Sequence, residues 1–136
     1  MKVWIIMGSK SDSEIMSAAE EVLKKNSVAY ETFIHSAHRE PDKIRDLVAK
    51  AKKEGVVAFV AGAGLAAHLP GFIASMTDIP VLGVPIPAST LGGLDSLLSI
   101  VQMPSGVPVA TFGIGKSGAK NAAIFASRLY KRLEQK

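Results

Sequence analysis

The sequence predicts an α/β domain in which a parallel β-sheet is covered by helices on both faces. Three observations carry that prediction. Five short apolar runs rich in β-branched residues recur along the chain, each bounded by turn-forming residues. Each run is followed by a stretch with helical apolar spacing. The connections are short, so strands and helices alternate as a parallel sheet requires, and such strands are buried on both sides. The 136 residues make one domain, 1–136, long enough for a single substantial core.

The elements follow in order. Val3 to Met7 is the first strand. Ser11 and Glu14, three residues apart, form a capping box for a helix whose apolar face is Ile15, Ala19, Val22 and Leu23. Val28 to Ile34 is the second strand. Pro41 suits the first position of the second helix, Ile44, Leu47, Val48 and Ala51 give its buried stripe, and Gly55 ends it. Val56 to Ala61 is the third strand, followed by a Gly62-Ala63-Gly64 loop and an apolar helix from about Leu65. Val81 to Val84 is the fourth strand. Residues 85–93 form a loop rich in proline and glycine, after which Asp95 caps a short apolar helix that stops before Pro104. Val107 to Phe112 is the fifth strand, and Ser117 to about Leu133 an alanine-rich last helix.

Right-handed crossovers leave few arrangements of five such units. The expected one is a single-domain three-layer sandwich with the flavodoxin-like strand order 2-1-3-4-5, whose switch point lies between strands one and three. The loop after strand one, Gly8 to Asp12, and the loop after strand three then flank one crevice at the carboxyl end of the sheet. Beside them lies His35-Ser36-Ala37-His38-Arg39-Glu40-Pro41, the turn between strand two and its helix. This turn holds an imidazole, a guanidinium and a hydroxyl within four residues. Such a set can move a proton, clamp an anion and donate a hydrogen bond.

Composition excludes several classes of function. There is no cysteine, which removes disulfides and cysteine-ligated zinc. The net charge of +4 arises from lysines interleaved with acids along helices, without interleaved aromatics, so nucleic acid is not an expected partner. The uninterrupted apolar run before Gly8, Val3 to Met7, has only five residues, too few for a signal-peptide core, and the expected location is the cytoplasm. Charge is unevenly spread. Residues 1–54 hold 19 of the 28 charged side chains, residues 55–115 hold Asp78 and Asp95 alone, and residues 116–136 hold seven. Val56 to Thr77 is uncharged and long enough to span a bilayer, but its glycines, Pro70 and His68 argue against a span. Burial between subunits of a homo-oligomer accounts for the segment better.

The loops contain three patterns that imitate other sites. Gly62-Ala63-Gly64-Leu65-Ala66-Ala67 fits a dinucleotide fingerprint but lacks an acid at the end of a following strand. Its glycines imply close backbone approach to something flat or bulky. Gly113-Ile114-Gly115-Lys116-Ser117-Gly118 contains the Gly-Lys-Ser of a phosphate loop, yet a full P-loop needs glycine where Ala110 stands inside a strand. His35, His38 and His68 are three possible metal ligands, but spacing on a turn does not align the first two and no other ligand clusters with them. No metal is expected. Gly8-Ser9-Lys10-Ser11-Asp12, between a strand and a helix N-terminus, suits both ordinary capping and an anion.

Taken together, Gly-Ser-Lys-Ser-Asp at 8–12, Ser-Ala-His-Arg at 36–39, Ala-Gly-Ala-Gly at 61–64, Ala-Ala-His-Leu-Pro-Gly at 66–71 and Asp-Ser-Leu-Leu-Ser-Ile-Val-Gln-Met-Pro at 95–104 form an ordered set. On these motifs nearly the whole chain resembles the catalytic subunits of the phosphoribosylaminoimidazole carboxylase family, and the 66–71 stretch looks like that family's mutase class. The resemblance implies a cofactor-independent isomerase of purine biosynthesis. It would move a carboxylate from the exocyclic nitrogen of an aminoimidazole ribonucleotide to a ring carbon, in a homo-octamer. It implies that Ser9, Ser11, Asp12, Ser36 and Arg39 hold the ribose phosphate, with Asp12 on the ribose hydroxyls. It gives His38 the catalytic role, and Gly64, Ala66, His68 and Leu69 the wall beside the base. Direct carboxylation by carbon dioxide at the same site, and a non-catalytic nucleotide-monophosphate-binding module, are the alternatives. Glu40 stands where the family usually has threonine, and Leu65 where it usually has glycine. Many members continue beyond the position of Lys136 into a further helix.

Overall fold

The computed structural model describes residues 1–136. Strands β1 (Lys2–Met7), β2 (Tyr30–Ile34), β3 (Val56–Gly64), β4 (Val81–Ile86) and β5 (Ala110–Thr111) form one sheet in the order β2-β1-β3-β4-β5. Every neighbouring pair is parallel. Between and after them run α1 (Ser13–Lys25), α2 (Pro41–Ala51), α3 (Leu69–Ala74), α4 (Leu94–Val101) and α5 (Lys116–Glu134). The predicted order is thus the observed one.

The alternation of side chains along β1 divides the interior in two. Val3, Ile5 and Met7 point to one face, where Met16, Ala19 and Leu23 of α1 and Ala119, Ala122, Ala123 and Ala126 of α5 cover them. Trp4 and Ile6 point to the other, against Ile44, Val48 and Ala51 of α2, Ile73 of α3 and Ile100 of α4. The alanine spacing of α5 lets it lie close to α1 and the sheet. No helix is long and apolar enough to cross a membrane.

Several element boundaries differ from the sequence expectation: β4 runs on past Val84 to Ile86, and four others differ for a local reason. Strand β2 starts at Tyr30 rather than Val28, because Ser27 has φ +57° and the Val28 N–H closes the end of α1 on the Leu23 carbonyl at 2.9 Å. Strand β3 runs on through Gly62-Ala63-Gly64, pairing Gly62 with Val84 and Gly64 with Ile86. Helix α3 begins at Leu69, not Leu65. Pro70 lacks the N–H that a helix already under way would need from it, and it sits well in a first turn. Strand β5 keeps only two of the six predicted residues. Pro108 can donate nothing to a ladder, so pairing is confined to Ala110 and Thr111 opposite Leu82 and Gly83. Asp95 lies in the first turn of α4 without capping it, and the cap position is Gly93 at φ +96°.

Candidate functional site

The loops leaving the carboxyl ends of β1, β2 and β3 wall a single cleft of about 400 Å³. From β1 comes Gly8 to Asp12. Here the chain makes a 3-10 turn over Lys10–Asp12 before α1 begins, which moves the N-terminal cap upstream to Ser9. The capping box is therefore built by Ser9 and Asp12, not by Ser11 and Glu14. Ser9 Oγ accepts from the Ser11 N–H at 3.3 Å, and Asp12 Oδ2 accepts from the Ser9 N–H at 3.1 Å. The Ser9 and Ser11 hydroxyls lie 2.9 Å apart. Asp12 is only 6% exposed. Burial pushes its carboxyl above the ordinary 3.8, while the Ser9 and Gly8 N–H groups pull it back in part.

From β2 comes the 35–40 turn. Its start is tied to the sheet by the His35 N–H on the Met7 carbonyl at 2.9 Å. It closes on itself through the Glu40 N–H to the Ser36 carbonyl at 2.8 Å and the Arg39 N–H to Ser36 Oγ at 3.3 Å. His38 and Arg39 are left exposed at its tip, and Arg39 makes no ion pair. Glu40 occupies the cap position of α2 with no capping bond from its side chain. Its carboxylate meets Lys43 Nζ at 2.6 Å and stands 3.6 Å from His35 Nδ1. Lys43 chiefly, then His35, holds that carboxyl below the ordinary range, so the extra negative charge beside the cleft is compensated locally.

From β3 come Gly64, the Leu65-Ala66-Ala67 turn, and His68 and Leu69 at the start of α3. His38 Nε2 and His68 Nδ1, thirty residues apart in the chain, are 2.6 Å apart, with the rings edge to face at 81°. Either nitrogen can be the donor. His35 does not line the cleft, so the three histidines do not converge.

All ten residues singled out from the sequence, Ser9, Ser11, Asp12, Ser36, His38, Arg39, Gly64, Ala66, His68 and Leu69, line this one cleft. Sequence reasoning passed over Ala88, which enters from the loop after β4. A signal existed: β4 neighbours β3, so its following loop must abut Gly64, where a β-carbon would stand 2.8 Å from the Ala88 methyl. The glycines of 62–64 do mark close approach, but to protein, since a β-carbon on Gly62 would overlap the Met16 sulfur. The phosphate-loop imitation at 113–118 is likewise structural, because Gly118 of α5 packs directly on the Gly113 carbonyl.

The arrangement combines an unpaired guanidinium and serine hydroxyls near a helix start, a buried carboxylate, and two imidazoles sharing one hydrogen bond. Such a set suits a small phosphorylated ligand that must exchange a proton. Fold and cleft together define a flavodoxin-like α/β protein with its site at the topological switch point. A family model described as AIR carboxylase matches residues 2–136, and the chain belongs to that family. It is 55% identical to an N5-carboxyaminoimidazole ribonucleotide mutase of Saccharolobus solfataricus, over 99% of this chain and 87% of that one. It is 54% identical to the enzyme of the same name from Aliivibrio fischeri, over 95% and 80%. Among solved structures the fold is similar to Treponema denticola PurE, with TM-score 0.75 and 21% identity over 98% of this chain and 90% of that one.

Proposed function

We propose that this chain is a cofactor-independent mutase that converts N5-carboxyaminoimidazole ribonucleotide to 4-carboxy-5-aminoimidazole ribonucleotide. The identity to relatives of that name supports the reaction. The observation that carries the site is the convergence of Arg39, Asp12 and the His38–His68 pair on one cleft. Arg39 with Ser9, Ser11 and Ser36 takes the phosphate, where a guanidinium fork and the positive end of the α1 dipole both favour a dianion. Asp12 accepts from the ribose hydroxyls. Gly64, Ala66, His68 and Leu69 stand beside the base.

His38 carries the proton. As the bond between the exocyclic nitrogen and the carboxyl carbon breaks, its electron pair stays on nitrogen and the imidazolium delivers a proton there, leaving an amine and carbon dioxide. The ring carbon then attacks carbon dioxide, forming the new carbon–carbon bond. The neutral imidazole removes the ring proton and returns to its starting form. Nothing is oxidised or reduced, and substrate and product are isomers. Both forms of an imidazole are accessible near neutral pH. His68 holds the ring of His38 in place through their mutual hydrogen bond.

The direct test is turnover of the synthetic N5-carboxylated ribonucleotide without ATP or added metal at low bicarbonate. Conversion to the ring-carboxylated isomer is expected. A requirement for aminoimidazole ribonucleotide plus carbon dioxide would identify a direct carboxylase, and binding without turnover a non-catalytic module. The working form we propose is a cytoplasmic homo-octamer.

A further inference from the structure

The turn that carries His38 and Arg39 has few backbone restraints. The His35 N–H on the Met7 carbonyl at 2.9 Å ties its start to the sheet. Its other bonds close it on itself, from the Glu40 and Arg39 N–H groups to Ser36. The loop after β1 is fixed by the Ser9–Asp12 capping box, whereas α2 begins at Glu40 with no side-chain cap. The Glu40 carboxylate is engaged elsewhere. Oε2 meets Lys43 Nζ, in the first turn of α2, at 2.6 Å, and Oε1 stands 3.6 Å from Nδ1 of His35, the residue directly after β2. That distance is longer than a hydrogen bond but within ion-pair reach. His35 Nδ1 is buried and has no hydrogen-bond partner, so the carboxylate is the group that compensates it. One side chain thus spans the turn from its exit to its entrance.

We propose that Glu40 is a positioning residue: its carboxylate, held between Lys43 and His35, clamps the two ends of the turn and so fixes His38 and Arg39 against the ligand. The proposal rests on the mutase reading above. Neither His35 nor Glu40 lines the cleft, so the pair acts through the turn between them. Threonine, which the family usually has at this position, would fix the start of α2 by capping, and here the bridge fixes it instead. Small misplacements of a proton carrier or an anion clamp are costly to rate. Because both groups ride on one turn, loosening it lowers kcat through His38 and raises KM through Arg39. A carboxylate acting only through space would have the opposite effect on KM. It repels a phosphate, and its removal would tighten binding.

The test measures kcat and KM of the full chain for synthetic N5-carboxyaminoimidazole ribonucleotide at one pH. It compares the unmodified protein with Glu40→Met, which keeps length but bridges nothing, with His35→Leu and with the double variant. Glu40→Met should lower kcat/KM roughly three- to fivefold, with kcat lower and KM higher. His35→Leu should do the same. The double variant should be no worse than either single one, because each breaks the same bridge. Lys43 is 64% exposed, so Lys43→Met releases the other arm without disturbing the core, and it too should lower kcat. That variant keeps the test decisive if His35→Leu fails to fold. A lowered KM or an unchanged kcat in Glu40→Met would overturn the proposal, as would losses that multiply in the double variant. Absence of turnover in the unmodified chain would overturn the mutase reading instead. Calorimetric affinity for the ribonucleotide would then read the bridge through Arg39: weaker binding by Glu40→Met supports it, and equal or tighter binding overturns it.

Discussion

His38 and His68 share one hydrogen bond, so only one ring can donate across it at a time, and the pair holds at most one positive charge while the bond persists. That is the behaviour required of a group that gives a proton and takes one back within a cycle. Asparagine at position 38 can still hydrogen-bond His68 but cannot carry a proton. His38→Asn should therefore bind the ribonucleotide nearly normally by calorimetry while kcat falls by roughly 10²–10⁴-fold. Collapse of binding with kcat intact would make His38 a binding residue. Arg39, exposed and without a carboxylate partner, is free to meet an anion. Arg39→Ala should raise KM by about 10–100-fold, and Arg39→Lys should restore only part, because ammonium lacks the bidentate fork. Asp12 sets stability against function. Its folded-state pKa lies above the ordinary 3.8, chiefly from burial. Its favourable contribution is thus complete below that ordinary value and is lost as pH rises through the raised one. At neutral pH the buried charge is a burden on the fold. Asp12→Asn keeps an acceptor for the Ser9 N–H, so thermal denaturation at pH 7 should show a midpoint raised by a few degrees. On the role proposed above for Asp12, the same variant should bind ribonucleotide about tenfold more weakly, since its charge-assisted bond to a ribose hydroxyl is lost.

At the scale of elements, what could be read from the sequence depended on whether the deciding interaction was local. The five-strand alternation and the 2-1-3-4-5 order follow from apolar runs and short right-handed connections, and the structure has both. Because that order puts the loops after β1, β2 and β3 at one crevice, the ten residues singled out from loop position and motif together all line one cleft. Sequence reasoning failed where geometry outside the local pattern decided. Nothing in Ser11-Asp12-Ser13-Glu14 announces that a 3-10 turn will transfer capping to Ser9 and Asp12. An apolar run from Leu65 reads as helix by composition, but Pro70 and the left-handed Leu65 delay the start to Leu69. Pro108 was visible and should have shortened the fifth strand. The His38–His68 contact was beyond reach, since it joins loops from different strands through side-chain placement that periodicity does not encode.

The whole molecule leaves one helix half covered. On α4, Ser96 and Ile100 are fully buried, while Leu94, Leu98 and Val101, spaced i, i+4, i+7, remain 52%, 50% and 45% exposed. Leu91, just before the helix, is 63% exposed. This stripe lies within residues 55–115, where Asp78 and Asp95 are the only charged side chains among the Asp, Glu, Lys and Arg of the chain. A contiguous apolar stripe of this kind on one face of a helix is characteristic of a surface covered in an assembly, and closed symmetric assemblies of identical chains are the commonest way to cover it. The octamer proposed above predicts sedimentation at micromolar protein as a species several times 14.3 kDa. A monomer of 14.3 kDa under those conditions would refute it. Leu98→Glu places a charge in the middle of the stripe without touching either core cluster. It should shift the population to smaller species while circular dichroism of the subunit stays unchanged. An assembly that survived the substitution intact would show that α4 faces solvent and that a different surface joins the subunits.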